Sequence, residues 1–198
     1  MRLRKLLLAT TSASALLCAL AGGASARAFS TSSQTFRTVF RTVTFNGVFG
    51  DIRCSITLEG SLHARTIAKV VGSLVGYVTR ADLGACETGR ATVLRETLPW
   101  HARYSSFTGT LPSITRITTN VIGLAFRIQE PFAGCLATST STNPAILAFE
   151  KQGGNGVIDD ATLGGTLTTT CGVNGSFSST RGPVTVLNST TRITVTLI

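Results

Sequence analysis

Ile52-Arg53-Cys54-Ser55-Ile56-Thr57-Leu58-Glu59 alternates apolar and polar residues without a break. Successive side chains of an extended chain point to opposite faces. Ile52, Cys54, Ile56 and Leu58 therefore share one face, and Arg53, Ser55, Thr57 and Glu59 the other. This is a half-buried β-strand, and the sequence around it keeps the same period. Upstream, Asn46-Gly47 is a tight-turn pair. Before that turn, Val39, Arg41, Val43 and Phe45 alternate with Thr38, Phe40, Thr42 and Thr44, with apolar residues in both sets. Downstream the alternation runs through Leu62, Ala64, Ala68 and Val70, with Gly60 as a bulge between two strands.

The stretch 71–78 is apolar except for Gly72, Ser73 and Gly76. Its two glycines favour a strand, although period alone leaves a short buried helix open. Further strands are expected over 90–98, 100–104, 114–121, 123–128, 166–171, 182–187 and 193–197, cut by Pro99, Gly109, Pro112 and Pro131. Residues 145–150 are the one helix candidate, after the start signal Asn143-Pro144, and 153–156 read as a loop. Short strands at close spacing, in a chain rich in Thr, Ser, Gly and Val, mean an all-β fold. The expectation is a single-domain antiparallel β-sandwich or closed β-barrel over 36–198, preceded by a loose Ser/Thr-rich arm at 27–35.

The amino terminus has a different composition. Arg2, Arg4 and Lys5 precede an uncharged Leu/Ala-rich run over 6–20, and Ala24-Ser25-Ala26 offers small residues for cleavage. This is the three-part pattern of a secretory signal peptide at 1–26, with Ala26-Arg27-Ala28 as an overlapping second cleavage choice. The run is shorter than a spanning helix requires and is interrupted by Thr10, Thr11, Ser12 and Ser14. Leu17 before Cys18 argues against a lipoprotein. A secreted, extracellular protein is expected, with no transmembrane segment after cleavage. A membrane β-barrel would need aromatic girdles at both interfaces, which one Trp and two Tyr do not supply.

Cleavage takes Cys18 and leaves Cys54, Cys86, Cys135 and Cys171, an even number for an oxidising compartment. The sequential pairing Cys54–Cys86 and Cys135–Cys171 closes two loops of similar size and is the expectation. A crossed or nested pairing stays open. Wide spacing without CxxC speaks against zinc or a redox pair.

Without Arg2, Arg4 and Lys5 the formal charge falls from +9 to +6, nearly all of the remaining positive charge being Arg. Ordinary solubility accounts for such a balance, and an anionic cell-wall polymer or polysaccharide would also be drawn to it. No Lys/Arg run or recognition-helix pattern points to nucleic acid.

Candidate chemistry rests on two histidines. His63 and Arg65 would share one face of a strand, with Lys69 further along, and His101 and Arg103 one face of another. If those strands adjoin, the four side chains make a basic patch suited to carboxylate or phosphate. The plainer reading is two solvated strand faces. A hydrolase using one histidine would need a nucleophile and an acid such as Asp82 or Glu96. No GxSxG elbow is present, since Gly72-Ser73-Leu74-Val75-Gly76 has the wrong spacing. Asp159-Asp160 are adjacent and would point opposite ways on a strand, which does not suit paired-carboxylate glycoside hydrolysis. With Asn155 they form at most a weak calcium turn, and Gly, Asn and Asp are ordinary turn residues. No metal site or cofactor is expected.

Two stretches carry a resemblance. One is Cys54-Ser55-Ile56-Thr57-Leu58-Glu59-Gly60-Ser61-Leu62-His63 with Gly76-Tyr77-Val78-Thr79-Arg80-Ala81. The other is Glu96-Thr97-Leu98-Pro99-Trp100-His101 with Arg103-Tyr104 and Gly109-Thr110-Leu111-Pro112. Together they resemble a loose group of uncharacterised small secreted proteins of GC-rich Gram-positive bacteria. The resemblance implies a bacterial, secreted protein, and no functional residue is carried over from it. The leading expectation is a non-enzymatic extracellular binding or surface protein for anionic or glycan polymers. The alternatives are a secreted hydrolase with a histidine base and a β-barrel carrier for a lipid or small apolar ligand.

Overall fold

A computed structural model describes residues 28–47, 50–110, 113–129, 134–151, 156–171 and 175–198. The leader at 1–26 lies outside the described residues, as does the loop at 153–155 with Asn155.

The described chain is all-β. It begins with β1 (Ala28–Thr31), β2 (Thr35–Gly47), β3 (Gly50–Leu62), β4 (Thr66–Ala68) and β5 (Leu74–Cys86). It continues with β6 (Arg90–Val93), β7 (Trp100–Thr110), β8 (Ser113–Ile122), β9 (Ala125–Gln129) and β10 (Gly134–Thr138). It ends with β11 (Ala145–Lys151), β12 (Val157–Thr169), β13 (Gly175–Ser179), β14 (Gly182–Thr185) and β15 (Ile193–Leu197). Every pairing is antiparallel, and the main path closes on itself. It runs β2–β3–β5–β7–β8–β11–β12, and β13 and β14 then bridge β12 back to β2.

Two smaller groups cover the ends. β6, β9 and β10 pair in series, and β10 joins the last residues of β12. β4, β1 and β15 do the same at the other end, with β15 on the first residues of β12. Thirteen residues long, β12 thus ties both ends to the ring.

The inward residues form one core. Ile52, Cys54, Ile56 and Leu58 are all buried, as their alternation predicts. In β2 the register shifts between Phe40 and Val43, which explains the apolar residues in both alternating sets. Phe36, Thr38 and Phe40 point inward before the bulge and Val43 and Phe45 after it. One extra residue is enough to exchange the faces. Phe45, Trp100, Phe126 and Phe177 pack as a chain of rings 5.0–6.4 Å apart at the β9 end. Phe29 meets Tyr104 and Phe107, each at 6.1 Å, at the β1 end. Buried polar groups are satisfied. Trp100 Nε1 donates to Thr97 Oγ1 at 2.8 Å and Thr119 Oγ1 to the Leu147 carbonyl at 2.9 Å. No buried side-chain polar atom among the described residues lacks a partner.

Several expectations are corrected. Residues 145–150 belong to β11, not a helix. Ala145 and Leu147 point into the core, and β8 and β12 satisfy the backbone on both sides, which overrides local propensity. The segment expected as a loose arm contributes β1, anchored by the fully buried Phe29. The alternation of Ala64 and Val70 does not put them inside, since both are exposed. The apolar run at 71–78 begins as a turn, and β5 starts only at Leu74.

The expected disulfides are present, Cys54–Cys86 between paired positions of β3 and β5 and Cys135–Cys171 between β10 and the turn that follows β12. No helix among the described residues is long and apolar enough to cross a membrane.

Candidate functional site

On β5, Val75, Val78 and Ala81 point into the core and Tyr77 points out. β5 lies between β3 and β7, so Tyr77 has Ser61 opposite on one side and His101 on the other. The chain leaves β3 at Leu62, and the His63 N–H still donates to the Val75 carbonyl at 3.0 Å. That bond keeps the His63 imidazole beside Tyr77. The His63 and Tyr77 ring centroids are 4.9 Å apart at an interplanar angle of 75°, and those of Tyr77 and His101 are 5.4 Å apart at 55°. Edge-on and tilted contacts are the arrangements aromatic quadrupoles favour. One phenol ring is thus held between two exposed imidazoles on the outer surface.

Arg103 follows His101 on the same face of β7, and its Nη1 donates to the Gly72 carbonyl at 3.2 Å. Arg65 lies two residues past His63, outside any strand, so the expectation that His63 and Arg65 share a strand face is corrected. The Arg65 carbonyl accepts the Thr31 N–H at 2.8 Å, which pins the backbone while the side chain stays exposed. The histidines are not on adjacent strands, because β5 intervenes. They meet through Tyr77. No hydrogen bond or ion pair joins Arg65 to the other three candidates among the described residues.

Further along the same face, the register aligns Arg37 of β2, Glu59 of β3 and Arg80 of β5. Glu59 stands between the two guanidiniums, at 3.8 Å from Arg37 and 3.7 Å from Arg80. Asp82 accepts from Arg80 Nε at 2.6 Å and from Arg95 Nη2 at 2.9 Å. Arg37, Glu59, Arg80 and Asp82 line a polar cleft of about 330 Å³ with Thr57, Leu187 and Asn188. Elsewhere Glu150 is clamped by Arg116 at 2.8 Å and Arg181 at 2.9 Å. The oxygens of Asp82 and Glu150 are each taken by an arginine, the arrangement of ion-pair braces rather than of an acid/base couple.

Among the described residues, neither imidazole hydrogen-bonds a carboxylate, so the base–acid pairing of a serine hydrolase is not assembled at His63 or His101. No three His, Cys, Asp or Glu side chains there come together to hold a metal ion.

Sequence reasoning missed Tyr77 and the Arg37–Glu59–Arg80–Asp82–Arg95 cluster. Period two marks each as outward-facing, but which outward residues meet depends on strand order, and local pattern does not carry strand order. No family model, curated protein or solved structure matches the chain.

Proposed function

We propose that the chain is an exported bacterial protein that binds an anionic or glycan polymer outside the cell, without catalysis. On this reading, residues 1–26 direct secretion and the closed strand path is a filled β-barrel serving as a rigid platform. The observation that carries the reading is the exposed His63–Tyr77–His101 row flanked by Arg65 and Arg103. An aromatic ring supplies an apolar face for a sugar ring, and guanidiniums supply paired donors for carboxylate, sulfate or phosphate. The polymer face holds Tyr77 on β5 and His101 and Arg103 on β7, with His63 and Arg65 in the connection that leaves β3, its backbone held by hydrogen bonds to Val75 and Thr31. Such a preorganised surface loses little freedom on binding.

The interior gives the carrier alternative less support. Among the described residues, the apolar void lined by Phe36, Tyr104, Ile117, Phe149 and Val195 measures about 50 Å³, far below the roughly 300–1,000 Å³ of pockets that enclose small ligands.

The test is retention on immobilised heparin and on cell-wall polymer. The wild-type chain is expected to be retained and to elute with salt. Replacing His63, Tyr77, Arg65, His101 and Arg103 together by alanine is expected to lower the eluting salt markedly, whereas replacing Arg116 and Arg181 is not. Retention that persists in the first variant assigns binding elsewhere.

A further inference from the structure

The turn between β4 and β5 presents an unusual combination. Val70 is 61% and Val71 75% exposed, and Leu74 follows at 37%. Exposed valines on a mobile loop would carry little meaning, but this turn is fixed. The Ser73 N–H and Oγ both donate to the Val70 carbonyl, at 3.0 and 2.7 Å. The Gly72 N–H donates to the Tyr104 carbonyl at 2.8 Å, and the Tyr104 N–H donates back to the Ser73 carbonyl at 2.9 Å. Gly72 takes the left-handed turn at φ 82°, and Arg103 caps its carbonyl. The tip therefore holds its valines outward, away from the core.

Cations lie close to it in the chain. Lys69 precedes it, with Nζ 5.7 Å from the Phe29 ring centroid and 5.3 Å from that of Phe107. Arg103 is exposed opposite Leu74 in the β5–β7 pairing, and Arg65 is exposed before β4. Among the described residues no carboxylate pairs with any of these three cations.

We propose that this tip docks on an anionic lipid bilayer, with Val70, Val71 and Leu74 entering the acyl boundary and Lys69, Arg65 and Arg103 meeting headgroup phosphates. An exposed apolar tip next to cations that no carboxylate neutralises matches an interface that is anionic outside and apolar within. The inference goes beyond the polymer reading and does not depend on it.

The test is co-sedimentation of the chain from Ala28, which carries every described strand and both disulfides, with phosphatidylglycerol/phosphatidylcholine vesicles and with phosphatidylcholine alone. Binding is expected only with the anionic vesicles. Val70→Ser with Val71→Ser is expected to abolish it without changing the melting temperature, because neither side chain is packed. Arg65→Gln is expected to weaken it by about fivefold, as expected for one cation near an anionic surface. Undiminished binding by the double serine variant overturns the proposal, as does equal binding to neutral vesicles or none to anionic ones. A chain that sediments as a dimer and becomes monomeric in that variant assigns the tip to a second copy, and also overturns it. Heparin retention separates the two readings, since the double serine variant keeps it if the polymer face acts alone.

Discussion

A methyl group at Gly60 has no room, because a Cβ there would press on the Phe36 ring and on the Tyr77 carbonyl oxygen. Gly60→Ala is therefore expected to cost about 1–3 kcal/mol as an overpacked site, read from urea unfolding midpoints. Since the same clash pushes β5 at Tyr77, that variant should also lower polymer retention. Tyr104 makes a separate point. Burial against the β1 end raises its phenol above the ordinary tyrosine range. Its folded pKa exceeds its unfolded one, so its contribution is fully present below the unfolded value and is lost as pH rises through the folded value. Thermal melts across the alkaline range should show that loss in the wild type and a smaller one in Tyr104→Phe. An equal slope in both would remove Tyr104 as its source. At this scale the sequence was partly legible. Gly60 reads as a bulge between two strands because it interrupts an alternation, but β3 runs through it to Leu62, and the extra residue at the register shift is Thr79 of β5. The role of Tyr77 does not read, since nothing local says that His63 and His101 will flank it.

The strands show where periodicity succeeds and where it stops. β3 follows its alternation throughout 52–58, whereas β2 obeys two alternations joined at a bulge, so neither set of its residues is wholly inward. Residues 145–150 have helical propensity and are a strand, because the slot between β8 and β12 fixes their conformation. Both cross-links tie elements that the ladder already brings together. Replacing Cys54 and Cys86 by alanine is expected to lower stability by about 3–4 kcal/mol, from the freedom returned to the unfolded loop, and replacing Cys135 and Cys171 by a similar amount. The two bonds differ in access, as Cys54 is 2% exposed and Cys171 is open to solvent. Under native conditions dithiothreitol should open Cys135–Cys171 first, seen by alkylation and peptide mass. Simultaneous opening would mean that reduction follows global unfolding instead.

Closure of the strand path depends on contacts distant in sequence. Thr38 Oγ1 donates to the Gly182 carbonyl across 144 positions, and no window of sequence contains that pairing. The all-β class was legible from short alternating segments, while the choice between two open sheets and a closed ring, and the face that ring exposes, were not. The ring places the charge as well. Glu59, Asp82 and Glu150 are each engaged by arginines, and the cations around Tyr77 have no such carboxylate partner among the described residues. On the proposed reading, that asymmetry directs an anionic chain to the β3–β5–β7 face. The most direct measurement is an amide chemical-shift map of the chain titrated with a short soluble anionic oligosaccharide. The account predicts shifts concentrated at residues 61–65, 75–78 and 100–104. Shifts centred on Arg116 and Arg181, or none at concentrations where retention is seen, would contradict it.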